Sequence, residues 1–444
     1  MLTPAIATVN ASNINIKNTN KSAIDDSGFK GSVGFQTNEW VDDVGEVVGN
    51  KYWGEFDLGY DSTSAIDMDK KFRLKTRVND EGQIMFSLPE SYLKYDFGEH
   101  TAYFGRAILP WSALDAAWGF GKLNNRVNFD GFEPGQEGLA GVLVDFKLSP
   151  SVRLQAFASG LYIPEMNPGT KTDKDKGTVE CTNPWCSAPD AEADTNDDGD
   201  PDTPIVYDVN MPEIQDIIFR YSIGGNIDLK VKDFGFNAFV IRKPENTISL
   251  SVEVSLDAPN NVVNAEITPQ VYYQNVAGME ANYDVVRNVN IYASYLGIKP
   301  DKNPDRDEPL IVYTGIKPNK KDEEYVGTGV RYNNKNFKAS VNYVARISEF
   351  DITDDVLVEY PRWNQAANLN LSLGLTRKLG LSFDYKYDMH TEDRLTMFRA
   401  NYLYRPNIII TAGANVIGSR AENDSYWSNF VNNDTVYSSL KYTF

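Results

Sequence analysis

The residues of this 444-residue chain best placed to do chemistry are fixed charges at alternate positions. Lys71, Arg73, Lys75 and Arg77 alternate with Phe72, Leu74, Thr76 and Val78. Successive side chains of an extended strand point to opposite faces, so the four cations share one face. Lys94 and Arg106 take the same predicted orientation on the next two extended runs. Clustered cations raise the local anion concentration. The plainer use is pairing with Glu55, Asp57 and Asp96, which would only fill space. A second group lies in 109–138, where Asp115, Arg126, Asp130 and Glu133 supply opposed charges. Trp111, Leu114, Trp118, Phe120, Phe129 and Phe132 make that stretch too apolar for a solvated loop.

A third group reads D-x-N-x-D-G-D-x-D from Asp194 through Asn196, Asp198 and Asp200 to Asp202. Calcium takes several hard oxygens, and Gly199 suits the sharp turn of a calcium loop. The bidentate Glu of an EF-hand is missing, since Ile205 stands in its place, so a plain acidic loop competes with a calcium site. No cofactor is required elsewhere, and calcium is the one candidate ion. Cys181 and Cys186 are too far apart for a redox C-x-x-C motif. They fit a small disulfide closing a surface loop in an oxidising compartment. With two histidines, His100 and His390, and no G-x-S-x-G, no catalytic arrangement stands out and no enzyme is expected. A net charge of −19 argues against a nucleic-acid partner.

The elements that would position these groups are strands. No uninterrupted apolar run reaches about 18 residues, so the chain spans a membrane as a closed barrel or not at all. Period-two alternation recurs from residue 28 to the end. In 368–377, Leu369, Leu371, Leu373 and Leu375 share one face, and Asn368, Asn370 and Ser372 the other. In 381–389, Phe383 and Tyr385 oppose Ser382, Asp384 and Lys386. About 20 runs can be marked, among them 214–225, 262–274 and a weak one at 247–257. Short turns such as 148–150, 333–335 and 405–407 join one end. Long segments near 109–138, 163–213, 299–322, 347–366 and 418–432 join the other. The expected fold is an all-β, transmembrane, antiparallel up-and-down β-barrel of about 18 strands (16–20), filling 28–444 as a single domain. Both termini would lie on the periplasmic, short-turn side. Residues 1–27 read as a signal-peptide remnant or a disordered N-terminus.

The chain closes on Val436, Leu440, Tyr442 and Phe444 at alternate positions. This resembles the terminal strand of Gram-negative outer-membrane β-barrel proteins of the porin type, where Leu440, Tyr442 and Phe444 would be the signal read by the barrel-assembly machinery. A weaker resemblance covers 103–146, where Gly105-Arg106 is followed by Trp118-Gly119 and the Asn/Asp-rich run 123–135. It is similar to a stretch of substrate-selective porins and alginate-export-like barrels. The resemblance implies an outer-membrane channel for small polar or charged solutes, narrowed by an inward-folded 109–138 loop. Its implied partners are outer-membrane lipid and lipopolysaccharide, and a homotrimer or other envelope proteins. Two other readings compete: an export component or scaffold of an envelope assembly, and a structural or adhesive barrel closed by its own loops.

The acidic run generates its own test. Residues 194–202 are expected to bind calcium weakly, on the order of 10⁻⁴–10⁻³ M. Isothermal titration of the intact protein should show heats that an Asp194→Ala/Asp198→Ala variant loses. Equal heats in both would make the run a plain acidic loop.

Overall fold

The computed structural model describes residues 28–40, 51–62, 68–80, 82–127, 129–165, 170–173, 178–186, 191–193, 202–301, 320–348, 361–420 and 425–444. Eighteen strands form one sheet, which closes because the first strand also pairs with the last. In chain order they are β1 (Gly28–Trp40), β2 (Tyr52–Ser62), β3 (Met68–Asn79), β4 (Ile84–Phe97), β5 (His100–Ala107) and β6 (Leu139–Ser149). There follow β7 (Val152–Ser159), β8 (Ser222–Val231), β9 (Phe234–Pro244), β10 (Tyr273–Val286), β11 (Val289–Pro300) and β12 (Glu323–Asn333). The last six are β13 (Phe337–Arg346), β14 (Gln365–Gly374), β15 (Leu379–Asp388), β16 (Arg394–Arg405), β17 (Ile408–Gly418) and β18 (Thr435–Thr443). Each pairs antiparallel with its neighbours in sequence.

Every even-to-odd connection is short, and β1 begins and β18 ends at that same end. The connections 108–138, 160–221, 245–272, 301–322, 347–364 and 419–434 all leave the opposite end. Among the described residues no helix is long and apolar enough to cross a membrane.

Three expected strands are placed differently. Residues 249–257 and 262–270 form a hairpin that is not part of the barrel sheet, joined in parallel by Thr203–Val209. Their alternation is real, but it serves a small sheet between β9 and β10, and removing both runs from the expected 20 leaves 18. The run marked at 214–225 starts as a short helix, Ile214–Ile218, and becomes strand only at Ser222.

The two faces of the barrel differ in the way the alternation predicts. Val33, Phe35, Phe86, Leu93, Phe104, Val240, Val341, Phe398 and Leu440 are exposed on the outer face. Leu373 is exposed there too, with Leu369, Leu371, Phe383 and Tyr385 in phase on β14 and β15, while Asn368 and Ser382 are buried on the inner face. The largest apolar cluster is inside. Ile241, Val276, Ile298, Tyr325, Val344, Ala366, Leu395 and Ile417 stand near the long-loop ends of their strands and pack on Trp111, Trp118, Trp185, Trp363 and Trp427.

Gly105 in β5 shows how tightly the wall is set. Its φ is +130°, and a Cβ there would strike the Ser91 carbonyl oxygen and approach Tyr92 Cα to 2.9 Å on β4. Only glycine tolerates both the dihedral and the contact. Gly105→Ala should cost at least about 1–3 kcal/mol. It should lower the temperature at which the folded band is lost in a heat-modifiability gel, and an unchanged transition would refute the packing argument.

Candidate functional site

The charged face of β3 points into the barrel, where two of its four cations are ion-paired. Register places Glu55, Asp57 and Asp61 of β2 opposite Arg77, Lys75 and Lys71. Arg77 bonds Glu55 at 2.9 Å and lies over the Trp53 ring at 5.2 Å. Lys71 pairs with Glu90 at 2.7 Å, and Lys94 with Asp69 at 2.9 Å and Asp96 at 2.7 Å. Arg106 pairs with Glu137 at 2.6 Å and donates to the Gly138 carbonyl at 2.8 Å. Arg73 and Lys75 alone of the six have no ion-pair partner among the described residues.

The 108–138 segment begins where β5 ends and touches the inner wall on many sides. Ser112 caps helix α1 (Ala113–Trp118) by accepting from the Asp115 amide at 3.1 Å, and Gly119 ends it in the left-handed region. Asn124 ties the loop's start by exchanging bonds of 2.8 and 2.9 Å with the Leu109 backbone. A short hairpin, Asn125–Val127 with Gly135–Glu137, brings the chain back. Trp111 donates to Gln155 of β7 at 2.7 Å and packs on Phe239 of β9. Phe120 stacks on Tyr325 of β12 at 4.4 Å, and Lys122 pairs with Glu323 at 2.8 Å. Phe129 meets Trp53 of β2, and Glu133 pairs with Arg399 of β16. These wall residues alternate with exposed Leu154, Val240 and Val326, so they face inward.

The return of this segment docks on a β-bulge. Between Arg73 and Lys75 the β3–β4 register shifts, setting Glu90 and Ser87 opposite residues only two apart. The extra residue falls at Leu88-Pro89, where proline is tolerated because the ladder is already interrupted. The freed Leu88 amide donates to Glu137 Oε1 at 3.1 Å, and the Pro89 carbonyl accepts from Gly138 at 2.9 Å. Ser87 Oγ adds a third bond to Glu137 at 2.6 Å. A Pro inside an alternating run was the sequence signal for this anchor, and Glu137 is the residue that charge spacing alone does not find.

The four charges of the segment have local partners. Asp115 accepts from the Lys122 and Leu123 amides at 2.9 and 3.1 Å, and burial pushes its carboxyl above the usual range against those bonds. Asp130 closes a turn on the Phe132 amide at 3.0 Å and is likewise raised by burial, while Arg77 and Arg399 oppose the shift. Arg126 reaches Glu165 at 3.5 Å and the Gly119 carbonyl at 2.8 Å. Glu133 holds Arg399.

Between the segment and the β12–β15 wall lies a cavity that opens to solvent. The segment contributes Ser112, Gly121, Arg126 and Gln136, and the wall contributes Arg331, Ser340, Asn342, Asn368, Asn370 and Asp384. A hydrogen-bonded chain runs along that wall. Tyr292 donates to Asn342 at 2.8 Å, Asn342 to Asn368 at 2.8 Å, and Asn368 to Asp384 at 2.5 Å. Arg331 sits 4.0 Å from the Tyr292 ring centre and has no ion-pair partner among the described residues.

Cys181 and Cys186 are joined in a disulfide with Cα atoms 5.6 Å apart. The loop they close seats Trp185 edge-on to Phe132 at 4.8 Å, and Asn433 binds the Pro184 carbonyl at 2.8 Å. Asp194, Asn196, Asp198 and Asp200 lie outside the described residues, and Asp202 accepts from its neighbour Thr203 at 3.1 Å. Leu440, Tyr442 and Phe444 point outward, Tyr442 and Phe444 with rings stacked at 6.3 Å.

The Arg106–Glu137 pair anchors the segment's return and is almost wholly buried, with side-chain exposures of 7% and 1%. Removing one partner of such a pair strands a buried charge. Glu137→Ala should therefore destabilise the protein by about 3–5 kcal/mol, whereas a lysine or arginine lost from an exposed pair such as Arg420–Glu392 should cost under about 1 kcal/mol. Chemical unfolding of the purified barrel would measure both, and equal small effects would show that the anchor carries no weight.

No protein-family model matches the sequence, and no curated protein matches it. Solved structures similar to the fold include OmpF of Salmonella typhi in complex with daunomycin, 10% identical, spanning 94% of this chain and 97% of that chain with a TM-score of 0.43. OccK5 (OpdH) of Pseudomonas aeruginosa is 9% identical over 94% of this chain and 96% of that one, with a TM-score of 0.47. A mutant Rh. blastica porin is 9% identical over 94% and 98%, with a TM-score of 0.39. From its own strand pairing and connections, the described chain is a closed, even-stranded, antiparallel up-and-down β-barrel.

Proposed function

We propose that the protein is a channel of a Gram-negative outer membrane, passing small polar solutes through a lumen narrowed by residues 108–138. One observation carries the reading: that segment touches inward side chains from β2 to β16 and still leaves the polar-walled cavity beside β12–β15. An apolar belt on the outer face of an edgeless sheet suits lipid, because no backbone group is left unpaired there. The outward Leu440, Tyr442 and Phe444 are proposed as the assembly signal and the 194–202 run as a weak calcium site, each an extension of the same reading. A barrel sealed by its own loops is the competing reading. It is favoured by the aromatic cluster of Trp118, Trp185, Trp363 and Trp427 at the long-loop end.

Purified protein in a planar bilayer should give discrete, voltage-driven conductance steps, and their absence at saturating protein would favour the sealed barrel. Selectivity in a salt gradient should be shallow, because four of the six cations of the ladder are paired. Arg73→Gln with Lys75→Gln should move the reversal potential toward cations by a small amount. Arg331→Gln, beside the cavity, should move it further in the same direction. The reverse ranking would place the solute path along β3 instead.

A further inference from the structure

The end of α1, residues 361–364 and β15 meet in a cluster rich in donors and poor in acceptors. Trp118 and Trp363 pack edge to face at 5.9 Å, and Trp363 and Trp427 at 5.4 Å. The Arg362 guanidinium lies 4.8 Å from the Trp427 ring, and the Lys386 ammonium 5.8 Å from the Trp363 ring. Trp427 gives its indole N–H to the Arg362 carbonyl at 3.1 Å, and Arg362 Nη2 donates to the Gly131 carbonyl at 2.6 Å. The rest are unmatched. Trp118 Nε1, Trp363 Nε1 and Arg362 Nη1 are buried with no acceptor among the described residues. Lys386 has neither an ion pair nor a hydrogen bond there. Of the carboxylates flanking Lys386 on β15, Asp384 is taken up by Asn368 and Asn370, and Asp388 by the backbone amides of Asn364, Gln365 and His390.

Native interiors leave few buried polar groups unpaired, and an orphan calls for a physical reason. Aromatic faces stabilise the two cations but accept nothing from the N–H edges. All the unmatched groups have one sense, donor or positive. Burial lowers Arg362 to about 10, as expected of a cation short of counter-charge. We propose that this cluster binds a small anion, a halide or compact oxyanion, held by Arg362 Nη1 and the Trp118 and Trp363 indoles with Lys386 supplying charge. The anion ties α1 to the 361–364 stretch. The proposal does not depend on whether the barrel conducts.

The test uses the full chain in detergent at constant ionic strength, with gluconate replaced stepwise by chloride, bromide or nitrate. The unfolding midpoint should rise and saturate, by on the order of a few degrees well above the dissociation constant, since a ligand bound only by the folded state stabilises it by mass action. Trp363→Phe keeps the ring and removes one donor, and Lys386→Met removes the charge; each should raise the apparent dissociation constant about tenfold or more. Arg362→Gln should abolish the saturable rise, and if that variant does not fold the other two carry the test. Crystals grown in bromide should show an anomalous peak within contact distance of Arg362. Anion-independent midpoints, an equal response in the variants, or water without anomalous signal at the cluster would each overturn the site.

Discussion

The seam between β1 and β18 is the constraint on which everything else rests. Eighteen strands leave no unpaired edge only if the sheet closes, so the first and last must find each other across the whole sequence. They pair from Ser32 with Thr443 to Trp40 with Thr435, and Gly31 and Phe444 exchange backbone bonds of 3.1 and 2.9 Å. Side chains then stitch the seam from within. Gly34 stands between Lys441 and Glu55 in register, and Lys441 crosses β1 there to Glu55 at 3.1 Å and Asp57 at 2.8 Å on β2. The acids of β2 therefore serve β18 and β3 together. Much of the charge on this wall belongs to closing the sheet.

Closure in turn creates an interior that strand side chains alone do not fill. The chain meets this with its own 108–138 segment, and two devices hold it. At its base the Leu88-Pro89 bulge turns backbone groups inward to receive Glu137 and Gly138. At its far side aromatic and ionic contacts fix it to β12 and β16. Bulge and buried ion pair are mutually dependent: without the bulge Leu88 has no free amide to offer, and without Glu137 Arg106 is left charged and unpaired among buried neighbours.

The sequence made the class of fold legible for a simple reason. Two-residue alternation is imposed locally by the pleat, and a sheet whose two faces differ in polarity sharpens it, as Leu369 to Leu375 against Asn368 to Ser372 show. The same signal misled at 249–257 and 262–270, because a half-buried strand alternates whether its sheet is closed or is a side hairpin. The connectivity that distinguishes them is a long-range property. For the interior, residue types could identify the cations of β3 and the apolar character of 109–138, but not their partners. Pairing of Lys71 with Glu90 and of Glu133 with Arg399 depends on register and on the path of a loop, neither of which is written in local spacing. The amide chain of Asn342, Asn368 and Asp384 was invisible for the opposite reason: each residue looked like an ordinary polar position on the inner face.

That division of the interior bounds what the fixed charges can do. The ionic wall runs from β18 through β1 to β7, while the cavity opens against β12–β15, where amides and hydroxyls saturate one another. A solute in the cavity meets Arg331 and Asp384 directly. Arg73 and Lys75 act on it from another wall, with Lys71, Arg77 and their carboxylate partners beside them. In water-filled space such a field decays over roughly 8 Å at physiological salt, and paired neighbours shorten its reach further. The net charge of −19 is more distant still, being spread over the whole chain. If the barrel conducts as proposed, its ion preference would follow the few charges that line the cavity, and four of the six cations that first draw the eye in the sequence are tied up in ion pairs along the wall.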